Sequence, residues 1–190
     1  MRLGCMAGGD DGMVLGAVLA GGGSRRFGSD KAMALLHGKS LLAHALEAIG
    51  GHAQAVVLCG RTEAGFTCLA DRPEPDLGPL GGLNAALYHA AAHGFAGVLC
   101  TGCDMPVFPD ALAQALIGDG PAIVEDQYLM GYWPASLASL LDAHLAEHQD
   151  RSVRGWLAVA QPRVVPAPEL PNINTQEDLR RLEESGAVGD

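Results

Sequence analysis

The sequence predicts an α/β protein: one three-layer domain in which a mostly parallel central sheet carries helices on both faces. Three observations carry this. Short apolar runs alternate with stretches of helical periodicity along most of the chain. The apolar runs are continuous rather than alternating with polar residues, as in strands buried on both faces of a parallel sheet. The chain has 190 residues, enough for one substantial core, and no internal repeat or linker divides it. Residues 14–190 are therefore assigned to a single domain. Residues 1–13, rich in Gly and Asp, are read as a disordered N-terminal tail.

Each element has its own signal. "VLGAVLA" (14–20) is a short apolar run stopped by glycine, a first strand. "SLLAHALEAIGG" (40–51) reads as a helix with Ser40 as N-cap and Gly50-Gly51 as its stop. "AVVLCG" (55–60) and "FTCLAD" (66–71) read as strands, and "RPEPDLGPLGG" (72–82) as a Pro/Gly loop. "LNAALYHAAAHG" (83–94) is helical, with Leu83, Ala86, Leu87 and Ala90 on one stripe, and "AGVLCTG" (96–102) is a strand. A helix over 110–118 behind Pro109 follows, then strands over 121–126 and 128–134 and helices over 135–148 and 151–160. "RVVPA" (163–167) is a short strand. The helix over 174–185 opens on a capping box of Thr175 and Asp178.

Composition excludes several classes. A formal net charge of −10 is unsuited to a duplex nucleic-acid binder. No apolar run reaches the roughly 18 residues of a spanning helix, and the start lacks the apolar core of a signal peptide, so the expectation is a cytoplasmic protein without membrane contact. The five cysteines follow no disulfide framework; the C-x-x-C of Cys100 and Cys103 is read as a strand end. The seven histidines form no ligand pattern and are read as surface or boundary residues, and Trp133 and Trp156 as core.

The chemistry concentrates in "AVLAGGGSRRFGSDKAM" (17–33). Gly21, Gly22 and Gly23 follow the first strand directly and leave backbone N–H groups open to a bulky anion. Arg25 and Arg26 can fork onto phosphate oxygens, and Lys31, one of only two lysines, can act as a point charge. The loop suits a polyphosphate; its plainer alternative is a tight turn with solvated arginines. It misses the dinucleotide fingerprint, because Arg26 stands where the third glycine belongs, and it misses the P-loop at Ser29-Asp30-Lys31. Asp104 ends a strand in "TGCDMP", as a Mg²⁺ ligand would or as a turn former. Asp71 ends another strand. Arg151 and Arg154 are spaced for one helical face, and Asn172 and Asn174 flank a helix entry.

"LAGGGSRRFGSDK" (19–31) resembles the L-x-G-G-x-x-x-R-[MF]-G-x-x-K signature of enzymes that move a nucleoside monophosphate from a triphosphate. With "DLGPLGG" (76–82), "CDMPVFP" (103–109), "RSVRGWL" (151–157) and "NINTQEDL" (172–179), the chain resembles the molybdenum cofactor guanylyltransferase family over roughly residues 14–183. The resemblance implies a Rossmann-like nucleotidyltransferase fold and transfer of GMP from GTP to the terminal phosphate of molybdenum-loaded molybdopterin, with Mg²⁺. Arg25, Lys31 and Asp104 would be catalytic, with Asp104 on the metal. Leu19, Ala20, Gly21, Gly22, Gly23, Asp71, Gly78 and Gly82 would complete the nucleotide site. Arg151, Arg154, Asn172 and Asn174 would face the acceptor. Molybdoenzymes or other cofactor-biosynthesis proteins would be partners. One departure stands out: relatives carry an Asn near the end of the second strand, where "VVLCGR" (56–61) places Leu58 or Cys59. Two alternatives stay open at this point: a transferase using CTP or acting on another substrate, and a non-catalytic carrier of molybdenum cofactor.

Overall fold

The computed structural model describes residues 12–21, 30–147, 150–167, 170, 171, 173 and 175–185. Its central sheet has seven strands in the order β5-β4-β1-β6-β8-β7-β9. These are β1 (Val14–Leu19), β4 (Ala55–Cys59), β5 (Thr67–Leu69), β6 (Gly97–Gly102), β7 (Ala122–Val124), β8 (Gln127–Pro134) and β9 (Arg163–Val165). A separate two-stranded ribbon pairs β2 (Leu35–Leu36) with β3 (Lys39–Ser40). All strands of the large sheet run the same way except β8, which is antiparallel to both β6 and β7. Only Glu125 and Asp126 separate β7 from β8. So short a connection closes a hairpin and leaves no room for a crossover helix; Asp126 takes φ 58° in that turn.

Helices cover both faces, as the sequence predicts. β1 is buried at every residue and feeds both layers. Val14 and Val18 pack with α1 (Leu41–Gly50) and α3 (Asp110–Leu116) through Leu42, Leu46, Ile49, Leu112 and Leu116. Leu15, Ala17 and Leu19 point the other way, into the layer of α2 (Pro79–Ala92), α4 (Ala138–Glu147) and α5 (Val153–Ala160). Trp133 and Trp156 are fully buried there, their rings 5.9 Å apart, which agrees with the core reading. A small third cluster of Leu36, Leu41, Ile173 and Leu182 ties α6 (Gln176–Ser185) to the ribbon.

The expected caps are present. Ser40 Oγ accepts the Ala43 amide at 3.2 Å, and Thr175 and Asp178 each accept the other's amide. Ser40→Ala is expected to lower stability by about 1 kcal/mol, measured as a shift in the urea midpoint at unchanged m-value.

Four readings need correction. The stretch 72–82 is not all loop: α2 begins at Pro79, with Gly78 at φ 64° before it and proline in its favoured first-turn position. Gly81 and Gly82 lie inside the helix where it is tightly packed; a Cβ on Gly81 would meet Asp71 and Leu77, and one on Gly82 would meet Cys59 Cβ of the sheet, each at 2.9 Å. Arg151 precedes α5, whose N-cap is Ser152, so it does not share a helical face with Arg154. His144 is buried, its ring 5.6 Å from that of Trp156, rather than at a boundary. The helix expected over 135–148 opens with a 3-10 turn at Ala135–Leu137.

Cys59, Cys68, Cys100 and Cys103 are free thiols. Burial pushes Cys100 up to about 12 and Cys103 up to about 11, which fits inert strand-end residues rather than a redox pair. Of the expected tail, residues 1–11 lie outside the described residues, whereas the Met13 carbonyl accepts the Ala96 amide at 2.8 Å. No helix among the described residues is long and apolar enough to cross a membrane.

Candidate active site

Four parallel strands end in one row. Leu19 of β1 is level with Cys59 of β4 and Gly102 of β6, and Cys59 with Leu69 of β5. In parallel α/β sheets this carboxyl edge is where ligands sit. Just beyond it the Ala20 amide donates to the Cys59 carbonyl at 3.0 Å, and Gly60 donates to Leu69 at 3.3 Å. Gly60 has φ 81°, and a Cβ there would fall 2.4 Å from Gly21 Cα. The two backbones rest on each other, and only glycine fits at Gly60. Leu19, Ala20 and Gly21 thus stand at the edge. Gly22, Gly23, Arg25 and Arg26 lie outside the described residues.

The chain re-enters at Asp30, the N-cap of a single 3-10 turn, Lys31–Met33. Lys31 is nearly buried, and its Nζ lies 3.2 Å from Asp104 Oδ2, a contact across 73 residues of sequence. Asp104 stands two residues past β6 and folds back so tightly that a Cβ on Gly102 would lie 2.4 Å from its Oδ1. The structure therefore brings together two of the three expected catalytic residues. Asn172 and Asn174 lie outside the described residues; between them, the Ile173 amide donates to the Asp104 carbonyl at 3.2 Å.

Asp71 lies against the first turn of α2, its Oδ1 3.8 Å from a Cβ built on Gly82. Burial raises its carboxyl above the ordinary aspartate value. Gly78 is open: a Cβ there would meet nothing within 4 Å. Arg151 pairs with Glu74 at 2.8 Å on the exposed surface, and Arg154 is exposed on α5.

Beside Asp104, on the β8 side, opens a cleft of about 180 Å³ lined by Gly102, Asp104, Met105, the hairpin residues Asp126 to Met130, and Val153. Sequence reasoning missed this hairpin wall; its one signal was the polar Glu125-Asp126 break between two apolar runs. It also missed Arg61, whose guanidinium forks onto Asp30. Among the described residues no three His, Cys, Asp or Glu side chains gather into a complete metal cage. One carboxylate at the strand edge suits a hard cation that takes its other ligands from water and phosphate.

Glycine-lined strand ends and a lysine–aspartate pair beyond the central strands suit a phosphorylated ligand, as a nucleotidyltransferase requires. Residues 16–164 match the MobA-like NTP transferase domain, and the chain belongs to that family. It is 35% identical over 182 residues to a molybdenum cofactor guanylyltransferase of Rhodobacter capsulatus, covering 90% of this chain and 95% of that one. It is 34% identical to one of Acidiphilium cryptum, covering 87% and 92%. The solved structure of molybdopterin-guanine dinucleotide biosynthesis protein A from Archaeoglobus fulgidus shares the fold, with a TM-score of 0.67 at 23% identity over 92% of this chain and 99% of that one.

Proposed function

We propose that the chain transfers GMP from GTP to the terminal phosphate of molybdopterin, releasing pyrophosphate and forming the guanine dinucleotide cofactor. The observation that carries this reading is the Lys31–Asp104 pair. It stands between the glycine-lined ends of β1 and β4 on one side and the cleft under the β7–β8 hairpin on the other. Family membership supplies the substrates.

The triphosphate lies along the backbone of Gly21, Gly22 and Gly23, with Asp71, Gly78 and Gly82 bordering the nucleoside. Arg25 and Lys31 neutralise the phosphates. Asp104 would hold Mg²⁺, which when bound spreads the charge that builds on the leaving pyrophosphate. The acceptor occupies the cleft on the β8 side, with Arg151, Arg154, Asn172 and Asn174 as its partners. An acceptor phosphate oxygen forms a bond to the α-phosphorus while the bond to the β-phosphate oxygen breaks. The acceptor is already ionised at neutral pH, so no side chain needs to remove a proton. Positioning and charge stabilisation carry the rate. On this reading the reaction is cytoplasmic and precedes molybdoenzymes that take up the product.

The test mixes purified protein with Mg²⁺, molybdenum-loaded molybdopterin and, separately, GTP, CTP, ATP or UTP. Pyrophosphate and the nucleotide joined to the pterin are quantified. Turnover with GTP alone is expected. Turnover with CTP alone would replace the substrate and keep the chemistry. Pterin binding without turnover on any nucleotide would overturn the enzyme reading in favour of a carrier.

A further inference from the structure

Arg61 directly follows Gly60, the residue whose backbone rests on Gly21. Its guanidinium forks over Asp30, Nη1 to Oδ1 at 3.1 Å and Nη2 to Oδ2 at 2.8 Å. Asp30 Oδ1 also accepts the Ala32 amide at 3.2 Å, capping the 3-10 turn that begins at Lys31. Lys31 Nζ then reaches Asp104. A continuous string of contacts therefore runs from the end of β4 to the loop after β6.

Two physical points give the string a direction. A three-residue 3-10 turn holds its shape poorly by itself; buried Ala32 seats this one on the core, and the Asp30 cap fixes the backbone immediately before Lys31. A two-pronged arginine–carboxylate contact fixes angle as well as distance, which a single ammonium contact does not. The arginine side chain is 22% exposed and the aspartate 53%, so Arg61 is the planted end and Asp30 the end that is held. The guanidinium also keeps the Asp30 carboxyl below its ordinary value, so the fork stays ionised at neutral pH.

We propose that Arg61 is a positioning residue of the transfer site: by gripping both oxygens of Asp30 it sets the 3-10 turn that presents Lys31 to Asp104. This inference rests on the proposed function only for its kinetic consequence.

The chain's two lysines allow a test that needs no turnover. Lys31 has a side chain 11% exposed, and Lys39, 39% exposed, serves as an internal reference. The full chain is acetylated with an N-hydroxysuccinimide ester, and each lysine is followed by peptide mass spectrometry. Arg61→Gln and Asp30→Asn are both expected to raise the labelling rate of Lys31 several-fold while Lys39 stays at its wild-type rate. Asn still caps the turn, so Asp30→Asn reports loss of the ionic fork rather than loss of the cap. An unchanged Lys31 rate in both variants overturns the proposal, as does a rise in Arg61→Gln alone. Should Arg61→Gln raise both lysines together, Arg61→Lys decides: it keeps the charge and loses the fork, so a raised Lys31 rate beside a steady Lys39 supports the proposal and a steady Lys31 overturns it.

The kinetic consequence is a fall in kcat of about tenfold to a hundredfold in each single variant with KM for GTP nearly unchanged. The double variant should be no slower than the slower single. A raised KM, or losses that multiply, would instead make Arg61 a direct nucleotide contact and overturn the positioning role. If the wild-type chain releases no pyrophosphate at all, the functional reading fails while the labelling still decides this inference.

Discussion

Asp104→Asn is expected to slow transfer by about a hundredfold or more in kcat while leaving the fold in place. Asn matches the size of the native side chain and keeps an oxygen for Lys31 Nζ, so the loop after β6 has no reason to move. What disappears is the negative charge. No cluster of three metal-binding side chains exists among the described residues to take over the role. The Asp104 side chain is 34% exposed, so the lost ion-pair energy is screened by water and amounts to about 1 kcal/mol or less. Initial rates of pyrophosphate release across a Mg²⁺ titration, beside a urea melt, separate the two effects. The variant should need more Mg²⁺ and still turn over slowly at saturation. Wild-type rates at ordinary Mg²⁺ would remove Asp104 from the chemistry.

The elements that read clearly in the sequence are those whose environment is uniform along their length. β1 and β6 are buried at every residue, so an unbroken apolar run is their whole signal. Helix starts marked by a side-chain cap, Ser40 and Thr175, were equally legible because the capping bond is local. The start of α2 was not. Gly78-Pro79 and Gly81-Gly82 look like loop residues until their neighbours are known: Gly81 faces Asp71 and Leu77, and Gly82 faces Cys59 of the sheet, more than twenty positions earlier in the chain. The reversal of β8 left no trace in its composition and came from the two-residue link before it. Lys31 and Asp104 could each be named from the motifs around them, but their contact is purely tertiary. The fork between Arg61 and Asp30 had no sequence signal, since both residues serve equally well as solvated charges. Arg25, Asn172 and Asn174 lie outside the described residues, and their proposed roles rest on motif and family.

Lys31→Ala and Lys31→Met together distinguish a charge that acts on the substrate from a brace that holds the site together. Both remove the ammonium. Both are expected to lower kcat by about a hundredfold or more, since a preorganised positive charge aimed at the phosphates is lost in each. Their stabilities should differ. The Lys31 side chain is only 11% exposed, so its aliphatic stem packs against the site, and Ala discards that packing whereas Met retains most of it. Neither variant strands a buried charge, because the Asp104 left behind is the more exposed partner and can be solvated. Lys31→Met should therefore unfold within about 1 kcal/mol of wild type, and Lys31→Ala somewhat earlier, at the same residual turnover. If instead activity follows stability, with Lys31→Met nearly active and Lys31→Ala not, the ammonium serves the loop rather than the phosphates, and the charge that stabilises the departing pyrophosphate must come from elsewhere in the glycine–arginine stretch.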